Sequence, residues 1–305
     1  MNREFSMKIL KKDIFGTVQN ILTQEGIAPN EAKAEANLII TEISGLRIEE
    51  ILAGKSISDN AELRILDIAR RRAETGAPIQ HLLGFAYFMD DKFYVNKDVL
   101  IPRPETELLV RAAVNVIRKN LTTEAFSGTV NVLDIGTGTG CIPIEISKAL
   151  PDVPMELMGV DISTDALRVA IKNMEALGEQ RRVIFRKSDI FKGLRPIDKF
   201  DIIVSNPPYI PISARETLQD EVKNFDPDLA LFTEDEEGIE FYARILESAK
   251  KHLKPKGYVL FELGFTNGVS QSVIVSKIAE NYGFTVQFME KDLSGTDRVI
   301  GFRLP

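Results

Sequence analysis

Residues 130–141 read Val130-Asn131-Val132-Leu133-Asp134-Ile135-Gly136-Thr137-Gly138-Thr139-Gly140-Cys141. A short apolar run stops at glycines spaced two apart, and a stretch of helical period begins near Cys141. This reads as a buried strand that turns sharply into a helix. Glycines at such a turn let the backbone fold tightly and let a ligand approach the amides that open the helix. Two common phosphate-binding patterns are excluded. The dinucleotide fingerprint G-x-G-x-x-G needs a glycine where Cys141 stands, and the loop carries no Gly-Lys-Ser/Thr.

Outward from this loop, further apolar runs alternate with helical stretches from Glu105 onward: Met155–Val160, Val183–Phe185, Phe200–Val204, Tyr258–Leu263, Thr285–Met289 and Val299–Phe302. Alternating β and α segments predict an α/β fold with a doubly wound, mostly parallel sheet. The last two runs have no full helix between them and are expected to pair antiparallel. In such sheets ligands bind beyond the carboxyl ends of the strands, so residues where strands stop are the candidates.

The second run ends at Asp161, where an acid can accept both hydroxyls of a ribose. The plainer alternative is a cap for a helix starting near Ser163. The third leads into Ser188-Asp189-Ile190. There Asp189 could meet the edge of an adenine, with Ile190 or Phe191 over its face, or could simply satisfy amides of a turn. The fourth ends in Ser205-Asn206-Pro207-Pro208-Tyr209, the most specific feature of the chain. Proline cannot continue a central strand, and Pro207, preceding another proline, is held extended. The Asn206 amide oxygen and the Pro207 carbonyl are then two adjacent acceptors suited to a planar substrate –NH₂ group. Tyr209 could stack on that plane or face a cation, a contact of roughly 0.5–2 kcal/mol; otherwise it is a buried ring beside a rigid turn.

The part before residue 105 has a different rhythm. From Met7 to about Thr75 the pattern is helical, with Ala36, Ile39, Ile40 and Ile43 on one face, Asn30 as N-cap and Gly45 as stop. A second helix is expected from Asp59 to Thr75, with Leu66, Ala69 and Ala73 inward. Phe85, Tyr87 and Phe88, then Asp90-Asp91, then Phe93-Tyr94-Val95, predict a β-hairpin turning at the aspartates and linking the two regions. The expected organisation is a helical domain over residues 1–83, a hairpin linker over 84–104, and an α/β domain over 105–305.

Composition narrows the function classes. The 305 residues are 44% hydrophobic and 27% charged, as in ordinary globular chains. No apolar run reaches the roughly 18–20 residues of a membrane span, and Met1–Ser6 lacks the order of a secretory signal. One cysteine, Cys141, excludes an intrachain disulfide and leaves no credible cysteine-based metal site, so no metal is expected and a cytoplasmic location is the default. Thirty-eight Lys and Arg stand against 45 Asp and Glu, a net charge of −7, with a pI of about 5.2. The acidic balance points away from direct nucleic-acid binding.

Together these segments resemble S-adenosylmethionine-dependent methyltransferases of the amino-methylating kind, whose hallmark is Asn/Asp-Pro-Pro-Tyr/Phe. Upstream, Pro78-Ile79-Gln80-His81-Leu82-Leu83-Gly84, Phe93-Tyr94-Val95 and Val99-Leu100-Ile101-Pro102-Arg103-Pro104-Glu105-Thr106-Glu107 are similar to the PrmC/HemK family. So are Asp134–Cys141, Ser205–Ile210, and Phe225-Asp226-Pro227 with Ala230-Leu231-Phe232. The resemblance covers nearly the whole chain. It implies a seven-stranded Rossmann-like methyltransferase sheet behind a small helical domain. It also implies methylation of the glutamine amide in the Gly-Gly-Gln motif of peptide-chain release factors, with S-adenosylhomocysteine as product.

Carried onto this sequence, the resemblance implies cofactor binding by Asp134, Gly136, Thr137, Gly138, Thr139, Gly140, Asp161, Asp189, Ile190 and Asn206. It places catalysis and substrate binding on Asn206, Pro207, Pro208 and Tyr209. Arg103 and Glu105 would order the pocket or touch the partner, unless Glu105 merely opens a helix after Pro104. Two departures stand out. The family places a glutamine soon after Glu-Leu/Ile-Gly, but Glu262-Leu263-Gly264 is followed by Phe265-Thr266-Asn267; and the residue at Ile190 often differs.

Other features take plain readings. Arg70-Arg71-Arg72 is expected on a solvated face, Glu234–Glu237 at a solvated helix start, and Cys141 as a packed small residue. His81 and His252 are expected to titrate without catalysing. The rival functions are methylation of an adenine or cytosine amine, of a ribosomal-protein glutamine, and a silent module that binds S-adenosylmethionine or a partner.

Overall fold

The seven apolar runs all form strands of one sheet in the computed structural model, which describes residues 13–123, 125–266 and 269–304. Met1–Ser6, the beginning of the helical pattern at Met7, and Asn267 lie outside the described residues. The chain divides into two units, the first ending at Gly84 and the second starting at Phe85.

In the first unit, helices Ile14–Gln24, Pro29–Ser44 and Asp59–Thr75 bury Val18, Leu22, Ala36, Ile39, Ile40, Ile65 and Ala69 in one cluster. Gly45 and Gly76 close the two longer helices in the left-handed conformation. Three expectations need correction. The N-cap of the second helix is Ala28, not Asn30, because Pro29 has its φ already set for the first helical position. The inward face of Asp59–Thr75 is Ile65, Ile68, Ala69 and Arg72, with Leu66 and Ala73 only partly buried.

Arg72, third, is not on a solvated face. Its side chain is 4% exposed and its Nε and Nη2 donate to Glu35 at 3.0 and 2.9 Å, while Nη1 donates to the carbonyls of Gly76 and Ala77. Arg70 and Arg71 are exposed as expected. Removing Glu35 takes the nearest carboxylate from a buried guanidinium whose next one, Glu31, lies at 3.9 Å, so Glu35→Ala should destabilise this unit by about 3 kcal/mol. Urea or thermal unfolding followed by circular dichroism would measure it; a loss under 1 kcal/mol would mean Arg72 finds water instead.

The second unit opens with the hairpin β1 (Phe85–Phe88) and β2 (Asp91–Tyr94). Phe88 pairs with Asp91, so the turn is Met89-Asp90, one residue earlier than expected, with Met89 at φ 53°. The hairpin packs onto this unit: Phe88 and Phe93 enter its core, and Asn173 bonds both the amide and the carbonyl of Tyr94. Helix Thr106–Thr122 follows, then β3 (Val130–Ile135), helix Cys141–Ala149, β4 (Met155–Asp161), helix Thr164–Leu177, β5 (Val183–Lys187) and β6 (Phe200–Ser205). Two short strands, β7 (Ile210–Pro211) and β8 (Phe232–Thr233), pair with each other. Helix Glu240–Ala249, β9 (Leu253–Glu262), the small hairpin β10 (Phe265–Thr266) and β11 (Val269–Ser270), helix Ser272–Asn281, β12 (Thr285–Lys291) and β13 (Asp297–Arg303) complete it.

The sheet order is β12-β13-β9-β6-β3-β4-β5, parallel except for the pairs β9–β13 and β13–β12. The chain builds outward from β3 to β5 and then returns to the other side of β3, which makes the ends of β3 and β6 the topological switch point. Alternating side chains fill two cores. Val132, Ile202, Val204 and Leu260 face one side, and Leu133, Ile203, Val259 and Phe261 the other. Strand β9 starts five residues before the expected Tyr258. Phe200 pairs with Leu253 and Ile202 with Tyr258, so the polar Lys254–Gly257 bulges between them. Among the described residues no helix is long and apolar enough to cross a membrane.

Candidate active site

Three positive-φ glycines shape the loop after β3: Gly136 at 74°, Gly138 at 51° and Gly140 at 78°. Gly140 is required twice over, since a Cβ there would also lie 2.7 Å from the Phe185 ring. The Gly138 amide donates to Asp161 Oδ2 at 3.0 Å, and the Ser163 amide to Oδ1 at 2.9 Å. Asp161 therefore holds the loop and the helix start together, while Ser163 itself caps the helix through the Ala166 amide. Burial raises the Asp161 carboxyl above its ordinary value, against the backbone donors.

Beyond β5, Asp189 accepts from Lys192 and from Arg244 at 2.6 and 2.9 Å. The Lys192 ammonium, then Arg244, hold its carboxyl below the usual range despite some desolvation. Ile190 sits at φ 52°, a strained conformation for a β-branched residue. Its carbonyl accepts from the Ser188 hydroxyl, whose oxygen accepts from the Gly193 amide, and these bonds hold the strained turn.

At the end of β6, the Ser205 hydroxyl bonds the Ile135 carbonyl at 2.7 Å, tying this strand end to the glycine loop. The Asn206 Nδ2 donates to Thr106 Oγ1 at 3.2 Å. Thr106 in turn donates to the buried Glu262 at 2.7 Å.

These strand ends surround a cavity of about 450 Å³ lined by Gly136–Thr139, Asp161, Asp189, Ile190, Asn206, Pro207, Pro208 and Arg103. Such a size suits a small-molecule ligand. Four expected residues do not line it. Asp134 is fully buried behind the loop, with neither oxygen in a well-formed hydrogen bond, and burial pushes its carboxyl up to about 7 with Thr137 offsetting part of the cost. Gly140 shapes the loop from behind. Glu105 is the N-cap residue of helix Thr106–Thr122. Tyr209 packs into the second core beside Gly264, where a Cβ would meet its ring at 2.5 Å; burial raises its hydroxyl. Arg103 does reach the cavity, and its Nη2 donates to Asp226 at 2.5 Å.

The methyltransferase domain family matches residues 127–281. A release factor glutamine methyltransferase of Bacteroides thetaiotaomicron is 36% identical over 91% of this chain and 94% of that protein. The chain belongs to the release factor glutamine methyltransferase family. A bifunctional methyltransferase of Rickettsia prowazekii is 34% identical over 95% of the chain, which spans only 56% of that longer protein. The catalytic domain of hMettl16, solved with a MAT2A 3'UTR hairpin, has a TM-score of 0.51 at 16% identity, over 80% of this chain and 82% of that one. That likeness shows the fold alone.

After the β10–β11 hairpin, Gln271 reaches back to the end of β9. Its Oε1 accepts from the Gly264 amide at 3.1 Å, and its Nε2 lies 3.2, 2.9 and 3.0 Å from the carbonyls of Tyr209, Glu237 and Gly238. Gln271 thus fastens the chain just after Asn206-Pro207-Pro208 to the end of β9. The acidic stretch before helix Glu240–Ala249 is a turn rather than a helix start: Asp235 accepts from the Ile239 and Glu240 amides. Sequence reasoning missed Thr106 and Glu262, and also Phe241 and Arg244 on the cavity wall. Thr106 lies inside the quoted Pro104-Glu105-Thr106-Glu107 stretch, but Phe241 and Arg244 carry no signal beyond helical period.

Proposed function

We propose that this protein transfers a methyl group from S-adenosylmethionine to the side-chain amide nitrogen of the glutamine in the Gly-Gly-Gln motif of a release factor. The observation that carries the reading is Asn206-Pro207 on the wall of a cavity that the glycine loop and Asp161 also line. Thr106 takes the Asn206 Nδ2, which leaves Oδ1 as the acceptor for a substrate N–H.

The residues fit the cofactor. The glycine loop accommodates close approach to backbone amides, Asp161 keeps lone pairs for ribose hydroxyls, and Asp189 with Ile190 borders the space for an adenine. Bound there, S-adenosylmethionine supplies an electrophilic methyl on a sulfonium. A glutamine amide nitrogen is a weak nucleophile because its lone pair is delocalised into the carbonyl. Asn206 Oδ1 and the Pro207 carbonyl would accept its two N–H bonds and stabilise positive charge developing on nitrogen. With the cofactor held there, the methyl would pass from sulfur to the amide nitrogen, the S–C electrons remaining with sulfur and one amide proton going to water. The product is S-adenosylhomocysteine. A release factor as partner carries a cytoplasmic location with it.

The test is transfer of radiolabelled methyl to a purified release factor beside its Gln→Ala variant in the Gly-Gly-Gln loop. Label on the first and none on the second is expected. Equal label on both, or label on transfer RNA alone, would overturn the assignment.

A further inference from the structure

Asn206 is useful only if its amide presents oxygen, not nitrogen, to the acceptor, and an asparagine on a cavity wall can rotate either way at little cost. Two residues outside the Asn-Pro-Pro-Tyr segment decide the matter. Thr106 opens the helix Thr106–Thr122 and is 4% exposed; Glu262 ends β9 and is 2% exposed. They lie 156 positions apart, yet their side chains are 2.7 Å apart and Thr106 is 3.2 Å from the Asn206 Nδ2.

We propose that Thr106 and Glu262 are positioning residues that form a one-directional hydrogen-bond relay and hold the Asn206 amide with its oxygen toward the methyl acceptor. The inference rests on the reading of Asn206 above. A carboxylate can only accept, so Thr106 must spend its single proton on Glu262. The threonine oxygen is then left as an acceptor, and only the Nδ2 end of Asn206 can satisfy it. Oδ1 is turned to the cavity by elimination. A protonated Glu262 could donate instead, freeing the threonine proton for the Asn206 oxygen and permitting the reversed amide.

The surroundings of Glu262 make this polarity sensitive to pH. Burial pushes its carboxyl up to about 7, opposed by the Thr106 hydroxyl and the Arg298 guanidinium and assisted by Glu105. The Tyr209 and Tyr242 hydroxyls, both raised by burial, are the other titratable groups beside it, and Tyr242 donates to its backbone carbonyl. The two tyrosine hydroxyls are moved away from neutrality, whereas the Glu262 carboxyl is moved toward it. Its ionised form, present at higher pH, is the one that holds the amide correctly, so turnover should fall as pH drops through about 7.

The experiment compares wild type, Thr106→Val, Thr106→Ser and Glu262→Gln in the full chain. Thr106→Val should lower kcat at least 10-fold with the S-adenosylmethionine Kd unchanged within 2-fold, and Thr106→Ser should recover most of it. The acid limb of wild type should vanish in Glu262→Gln. Wild-type kcat in Thr106→Val, equal losses in the Val and Ser variants, or a surviving acid limb would each overturn the relay. An independent readout needs no acceptor: the Asn206 side-chain NH₂ resonances of ¹⁵N-labelled protein should shift with a midpoint near 7 in wild type and not in Thr106→Val. If that shift is seen but no release factor is methylated, the relay stands and the substrate assignment falls. If neither resonance moves, the relay falls whatever the substrate.

Discussion

Asn206→Ala should reduce methyl transfer to the acceptor by roughly 10²–10³-fold, the usual loss when one pre-oriented group facing developing charge is removed. The same change should leave the S-adenosylmethionine Kd within a factor of about 2. The reason is positional: Asn206 sits at the end of β6, while the loop, Asp161 and Asp189 sit at the ends of β3, β4 and β5. Its amide bonds Thr106 and none of these. Single-turnover kinetics beside calorimetric titration separates the two effects. Equal losses in turnover and cofactor affinity would mean Asn206 belongs to the cofactor pocket rather than to the acceptor.

The opposite pattern is expected for Asp161→Ala. The Asp161 carboxylate is the acceptor for the Gly138 and Ser163 amides as well as the candidate ribose contact. Its loss strands two backbone donors and lets the glycine loop relax, at a cost of about 3 kcal/mol in cofactor binding, or roughly 10²-fold in Kd. Turnover at saturating cofactor should change far less. Asp161→Asn separates the contributions, because a carboxamide oxygen can still accept one of the two amides. A calorimetric Kd for Asp161→Ala within 3-fold of wild type would reduce Asp161 to a helix-capping residue.

Much of this site was legible because its chemistry is written locally. Gly136, Gly138 and Gly140 all adopt the positive φ that their spacing in the loop demands. Pro207 and Pro208 end β6 because neither can donate to a ladder, and the strand does stop at Ser205. Asp161 binds backbone amides of the loop and the helix start and also lines the cavity. Tyr209 was legible only as part of a motif. Its ring goes to the core beside Gly264 instead of the cavity wall, because the chain after Pro208 is drawn toward β9 by Gln271.

Where local patterning failed, the cause was a contact between distant segments. Arg72 reads as one of three consecutive arginines on a polar helix, and nothing nearby in sequence announces Glu35 at 2.9 Å. Lys254–Gly257 lies outside the run expected from Tyr258, yet it bulges within a strand whose ends pair with β6. The sequence alone determined the order of the main strands and helices, the loop after β3 and the Asn-Pro-Pro-Tyr turn after β6, since each follows from backbone freedom or period over a few residues. The tertiary structure decided what those elements are aimed at. Thr106 and Glu262 meet at Asn206 only because helix Thr106–Thr122 packs across β6 and β9. That packing depends on the shapes of two apolar surfaces, which hydrophobic period marks as buried without saying what each will touch.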